Sequence, residues 1–363
     1  MSSPTSSEFW KGKRVFLTYP THFLGAWTAL SLEHLGAQVF GFAEATESVS
    51  SSGAVRLFDL ANLGQRISMT YGDLRDEETL RQALQFAEAD IVLHLGEMGL
   101  LTDAEKKPLE ILSKSVMGTG TLMELLRETA SVRSVVVAGS DKVYARTPDN
   151  RATTENDKVA AGDVFPTAKL CAEFVALSYR STFFTPAKYN KHKVAIATAR
   201  MGSAIGGGDF AENSLISQAV QSFIGKKTFE VRNPHSVRPW IHVLDQVAGL
   251  LSLAQALFDK GPRLAETYNL AAVEFESVGE VVKEFAHIWG DTRSSVSGAD
   301  AGPSTLSLHG QMSGDLAAEQ LGWKPQWDLT KALTETARWY QDYYSGNSSP
   351  EQLGAGVREY FRS

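Results

Sequence analysis

Short apolar runs alternate with longer apolar or amphipathic stretches over the first two hundred positions. Arg14-Val-Phe-Leu-Thr18 has strand length. After a turn, Leu24 to Leu35 reads as a buried helix stopped at Gly36, and Gln38-Val-Phe-Gly-Phe42 as the next strand. The alternation predicts strands at Ile67 to Tyr71, Asp90 to His94 and Ser134 to Ala138. It predicts helices at Glu77 to Ala87, with Asp76 as N-cap, and at Leu109 to Glu128. Repeated βα units with short buried strands imply an α/β fold, a doubly wound parallel sheet. Beyond Met201 the pattern changes. Gly206-Gly-Gly208 and Arg232-Asn-Pro-His235 interrupt it, helices follow at Asp245–Phe258, Val278–Trp289 and Leu329–Tyr344, and residues 291–308 read as a loop. Strand-like pieces at Val194–Ala199 and Thr267–Ala271 are placed to return to the first sheet.

Composition mostly excludes. The 363 residues suggest about two domains or lobes at roughly 150 residues each. The charge balance, 35 − 42 = −7, argues against an unspecific grip on nucleic acid or an anionic membrane. Cys171 is the only cysteine, which excludes an intramolecular disulfide and a thiolate zinc cage. His235 and His242 are seven apart with no third ligand placed by spacing, so no metal is expected. No apolar run reaches the roughly 18 residues of a membrane helix, and the first residues lack a signal-peptide pattern; the expectation is a cytoplasmic protein.

The turn between the first strand and helix is where a dinucleotide-binding fold keeps three glycines, for the bend, for close approach to pyrophosphate and for helix–strand packing. Here it reads Thr18-Tyr-Pro-Thr-His-Phe-Leu-Gly25. At that spacing the positions are Tyr19, His22 and Gly25, so only the packing glycine remains. Two readings stand side by side. In one the rings fill a lost dinucleotide site. In the other a rearranged loop still binds nucleotide, with His22 near a phosphate.

The chain resembles the CDP-glucose 4,6-dehydratases of the extended short-chain dehydrogenase/reductase superfamily, from about Phe9 to Gly346. The resemblance is carried by Phe9-Trp-Lys-Gly-Lys-Arg-Val-Phe-Leu-Thr18, Gly72-Asp-Leu-Arg-Asp76, Val116-Met-Gly-Thr119 and Ser140-Asp-Lys142 with Tyr144. The most specific strings are Ile205-Gly-Gly-Gly-Asp209 and Arg232-Asn-Pro-His-Ser-Val-Arg-Pro-Trp240. It implies a Rossmann-like domain over residues 11–200, with 1–10 frayed. Residues 201–346 would be mainly a smaller sugar-nucleotide-binding lobe, and 347–363 a tail. NAD would be the cofactor, set by Thr18, Tyr19, His22, Phe23 and Gly25, with Asp73 and Leu74 at the adenine. A CDP-hexose would be the small-molecule partner. A homodimer would pair through Leu109–Glu128 and Thr167–Ser181.

The family reaction moves a hydride from C4 of the hexose to NAD, eliminates water across C5 and C6, and returns the hydride to C6. The resemblance implies a tyrosine base with a lysine four residues on, a spacing that shares one helix face. Here Lys169 is present, but the tyrosine position is Phe165, which has no proton to exchange. Losing a positioned acid–base group costs about 10²–10⁴-fold. Tyr144 is a conceivable substitute. The elimination group is kept: Ser140 would bond the 4-hydroxyl, Asp141 would protonate the leaving oxygen and Lys142 would be the C5 base. Other departures gather round the same cavity: Glu97 near the nicotinamide or diphosphate, Ser115 for an asparagine, Gly139 for a threonine and Ser203 for an asparagine. On the sugar-nucleotide side, Arg232, His235 and Arg238 would supply donors to a diphosphate. Asp209 and Asn213 would read hydroxyls. These features lead to the expectation of a divergent homologue that keeps a sugar-nucleotide site and has lost or altered its NAD-dependent redox step. The alternative is an active CDP-hexose dehydratase with a remodelled site.

Overall fold

A computed structural model describes residues 7–45, 54–96, 106–145, 151–160, 162–211, 214–231, 233–272, 274–290, 311–347 and 349–362. The first alternating stretch folds as its pattern predicts. Strand β1 (Arg14–Thr18) sends Val15 and Leu17 into one core and Phe16 into another, the two-residue period of a sheet covered on both faces. Helix α1 (Phe23–His34) follows, buried nearly all round. It ends where Gly36 takes φ +84°, the left-handed conformation that glycine adopts without strain. Strands β2 (Gln38–Ala43) and β3 (Ser68–Tyr71), helix α2 (Glu77–Ala87) and strand β4 (Ile91–His94) come next. Asp76 caps α2 by accepting from the Thr79 amide.

Helix α3 spans residues 108–126, but its middle turn, Ser113–Met117, is a π-helix. Strand β5 (Ser134–Ser140), helix α4 (Val164–Thr182) and strand β6 (Ala195–Met201) complete the alternation. Two short strands, β7 (Ser203–Ile205) and β9 (Trp240–His242), pair with each other. A third, β8 (Val237–Arg238), pairs with β11 (Glu276–Ser277). Strand β10 (Thr267–Leu270) returns to the main sheet beside β6. The seven-stranded sheet runs β10-β6-β5-β4-β1-β2-β3, every pair parallel. This is a Rossmann-like sheet, and the anticipated return of 194–199 and 267–271 is what widens it.

Four further helices matter below: α5 (Leu215–Ile224), α6 (Val243–Lys260), α7 (Val278–Trp289) and α8 (Leu329–Tyr344). Helix α6 joins α1 in the core that holds Val15, Leu17 and Trp27. Helices α5, α7 and α8 build a separate cluster round Phe223, Phe285 and Tyr340. Residues 347–363, read from sequence as a tail, include helix α9 (Pro350–Tyr360). Its Leu353, Val357 and Tyr360 are buried, and the Tyr360 hydroxyl donates to Asp245 at 2.6 Å. The predicted loop at 291–308 lies outside the described residues. Among the described residues no helix is long and apolar enough to cross a membrane.

Candidate functional site

The carboxyl ends of β1, β4 and β5 meet helices α3 and α4, and the chemistry-bearing residues gather there. Thr18 closes β1. Its Oγ1 accepts from the Leu95 amide at 3.1 Å and lies 3.1 Å from His94 Nδ1. On the other side of the ring, His94 Nε2 is 2.9 Å from Thr119 Oγ1, whose own proton goes to the Ser115 carbonyl. That chain of donors fixes the neutral ring with its proton on Nε2. Burial, helped by the Lys169 ammonium, lowers the His94 pKa to about 3.

The turn keeps a left-handed residue at the first of the three glycine positions and the packing glycine at the last, with side chains at the first two. Tyr19 has φ +54°, a conformation that costs an L-residue roughly 1–2 kcal/mol. Its amide donates to the Phe42 carbonyl at 2.7 Å. The Tyr19 ring is only 4% exposed and belongs to the core with Phe16, Phe42 and Leu74. The His22 ring stacks on it, centroids 5.1 Å apart. His22 is the N-cap of α1 in an extended conformation, so its position demands space and not a positive φ. Its Nδ1 is buried without a hydrogen-bond partner, and burial with Arg56, Lys169 and Lys114 nearby lowers the ring pKa to about 4. Gly25 is required: a Cβ there would stand 2.0 Å from the Tyr19 carbonyl oxygen. Phe23 packs against Gly206.

After β3, Asp73 is engaged by its own neighbour. Its Oδ1 accepts from the Arg75 amide at 2.8 Å and from Arg75 Nε at 2.9 Å. Leu74 is a core residue, 2% exposed, against Gly118 of α3. Beside them Lys114 is buried with Nζ 2.7 Å from Glu44 Oε2 and 2.9 Å from Glu110 Oε1.

The residues expected to act on the sugar converge. Ser140 Oγ donates to Asp141 Oδ1 at 3.1 Å and accepts from the Lys142 amide at 3.2 Å. The other Asp141 oxygen is buried without a hydrogen-bond partner. Lys142 is half-buried; burial pushes its pKa down, Arg238 adds to this and Asp141 opposes it. Phe165 has two cations at its ring, Lys142 Nζ at 5.8 Å and Lys169 Nζ at 5.7 Å from the centroid. Lys169 is buried, and a Cβ on Gly96 would come within 3.0 Å of its Nζ. Tyr144 follows the Asp141–Val143 turn directly. Its hydroxyl donates to Asn269 Oδ1 at 2.6 Å and accepts from Arg200 Nη1 at 2.8 Å, Arg200 being held by Glu173 at 2.7 Å. Burial pushes the Tyr144 pKa up to about 12, and the hydroxyl belongs to a buried network with Asn269 and Arg200.

The sugar-nucleotide strings divide. Arg238 is half-buried and faces Asp141 electrostatically, whereas His235 is exposed. Ser203, on β7, is half-buried. Asp209 accepts from the Ala211 amide at 3.2 Å, a turn contact, and burial raises its pKa. His242 caps α6 through Nδ1 and makes no pair with His235. Gly207 has a packing reason of its own: a Cβ there would stand 2.0 Å from Trp339 Cγ. Arg232, Asn213 and Glu97 lie outside the described residues.

A family model described as "NAD dependent epimerase/dehydratase family" matches residues 21–271. The chain belongs to the NAD dependent epimerase/dehydratase family. Within it, the CDP-glucose 4,6-dehydratase of Salmonella typhimurium is 35% identical over 344 residues, 93% of each chain. A UDP-glucose 4-epimerase of Pisum sativum is 22% identical, over 92% of this chain and 98% of its own. Among solved structures, the dTDP-glucose 4,6-dehydratase of Bacillus anthracis in complex with NAD matches with a TM-score of 0.74 at 18% identity, over 92% of this chain and 98% of that one. The UDP-glucose-4-epimerase of Stenotrophomonas maltophila, with bound NAD and formylated UDP-arabinopyranose, matches at 0.76 and 21%, over 92% and 99%.

Against this epimerase/dehydratase frame, the sequence reading overlooked His94, Arg56, Glu44 and Lys114. One signal was available. A dinucleotide fold carries an acidic residue about 20 positions past its turn, and Glu44 lies 44 − 25 = 19 positions past Gly25.

Proposed function

We propose that this member of the epimerase/dehydratase family binds a cytidine diphosphate hexose and has lost the hydride step of its relatives. The observation that carries the reading is Phe165 with Lys142 and Lys169 at its ring. A phenyl ring fills the place where C4 oxidation needs a proton acceptor, and the nearby Tyr144 hydroxyl is committed to Arg200 and Asn269. The residues at the dinucleotide turn do not fit NAD. The tyrosine at the bend is strained, a histidine ring stands where backbone should approach a diphosphate, and the carboxylate past β2 is held by a lysine. The sugar side remains: Arg238 supplies charge and the Ser140-Asp141-Lys142 turn supplies polar contacts. The same reading takes the chain as a homodimer joined through α3 and α4, where Leu109, Met117 and Phe174 are large exposed apolar side chains. A wild-type chain that sediments as a monomer refutes that part.

A second reading is an active NAD-dependent CDP-hexose 4,6-dehydratase with a remodelled site, in which C4 oxidation would acidify the C5 proton that Lys142 removes; the lowered pKa of Lys142 beside Asp141 favours it. One experiment separates them. Calorimetry with CDP-glucose, CDP, UDP-glucose and NAD is run beside mass spectrometry for a sugar product lacking one water. CDP-glucose binding without product supports the first reading. Product formation that Lys142→Ala abolishes overturns it.

A further inference from the structure

An ion pair crosses the crevice above the end of β1. The strand order sets β4 on one side of β1 and β2 on the other, the switch point where open α/β sheets admit ligands. Glu44 follows β2, and Lys114 lies on α3, the helix after β4. The 2.7 Å contact between them ties the two sides together. The Lys114 side chain is 9% exposed, and Glu110 holds its ammonium from the same helix at 2.9 Å. Lys114 and Ser115 lie in the widened π turn of α3, and both are buried.

We infer that Lys114 is a specificity-determining strut: by spanning the switch point to Glu44 it closes the ribose end of the crevice to adenine nucleotides. The inference rests on the reading that this chain does not hold NAD. A carboxylate has lone pairs to spare, so pairing alone would not exclude a ribose hydroxyl. The exclusion comes from the lysine stem and ammonium lying across the approach. Arg56 and Lys169 leave the neighbourhood cationic, so the ligand turned away is rejected by shape and not by its charge.

The test titrates AMP into the wild-type chain, Lys114→Ala and Lys114→Arg by calorimetry. Lys114→Ala should bind AMP about tenfold or more tighter than wild type, the scale of one charged hydrogen bond regained. Lys114→Arg, which keeps the span, should stay at the wild-type level. Equal affinity of wild type and Lys114→Ala overturns the inference, as does micromolar AMP binding by the wild-type chain, which needs no variant to fold. NADH titrated into Tyr19→Gly/His22→Gly with and without Lys114→Ala repeats the comparison on a reopened turn. CDP-glucose calorimetry on the same samples keeps the two readings apart. Loss of CDP-glucose binding with the AMP gain intact sinks the proposed substrate alone; a flat AMP series sinks the strut alone.

Discussion

Replacing Tyr19 by glycine restores the family's residue at a left-handed position, and on backbone grounds alone it should help. Relief of the φ +54° conformation returns roughly 1–2 kcal/mol. The side chain argues the other way. The ring is 4% exposed among Phe16, Phe42 and Leu74 and stacks on His22. Truncating a buried aromatic costs about 3–5 kcal/mol, because the cavity collapses only in part. Glycine adds about 0.5–1 kcal/mol through the entropy of the unfolded chain. The balance is a net loss of roughly 1.5–5 kcal/mol. Urea unfolding followed by far-UV circular dichroism reads it as a lower midpoint at unchanged slope. A midpoint equal to or above that of wild type would refute the reasoning: the ring would then be a plug in an open groove, and the turn could be returned to a dinucleotide loop at no cost. The expected loss means instead that the Tyr19 ring is part of the core.

Two other expectations follow from the same contacts. Gly207→Ala drives a Cβ to 2.0 Å from Trp339 Cγ, a rigid ring, and should lower stability by about 1–3 kcal/mol; Gly120→Ala, which meets only Val175 at 3.9 Å, should be neutral or stabilising in the same melt. Acid should destabilise the fold. His94 and His242 are buried with pKa values of about 3 against 6.5 when unfolded, so their contribution is complete above pH 6.5 and is lost as pH falls towards 3. Each contributes up to about 1.4 kcal/mol per pH unit in that window. Asp245, raised to about 6 by burial, acts in the opposite sense between 3.8 and 6 and offsets about one histidine. Urea midpoints at pH 7, 6 and 5 should therefore decline, and less steeply in His94→Gln; a flat series would show that these rings are not held neutral.

The sheet was legible because its strands are short, apolar and separated by helices of ordinary length, and Val278–Trp289 and Leu329–Tyr344 emerge with the bounds their patterns give. Phe165 and the altered turn could be read one residue at a time, since each is a type substitution at a position that the family resemblance or the glycine spacing marks. Other features depend on distance in the fold. Glu44 and Lys114 are 70 residues apart, and each alone is an ordinary charge on a helix or after a strand. The π turn leaves no hydrophobic signature over five residues. The direction of the Tyr19 ring, into the core, follows from Phe16 and Phe42 on neighbouring strands. The glycine string at 206–208 shows the converse limit. Its spacing suits a sugar-nucleotide loop, yet Trp339 against Gly207 and Val243 against Gly206 already demand glycine there. A site residue that also packs stays in place after its ligand contact is gone, so Gly206 to Gly208 carry little weight for CDP-hexose binding. Residues without such a demand carry more: His235 is exposed, and the resemblance puts it at the sugar nucleotide, whereas half-buried Arg238 also pairs in β8 and faces Asp141 and Lys142. The case for a surviving sugar-nucleotide site therefore rests on those two donors and the Ser140-Asp141-Lys142 turn, and the binding experiment tests them directly.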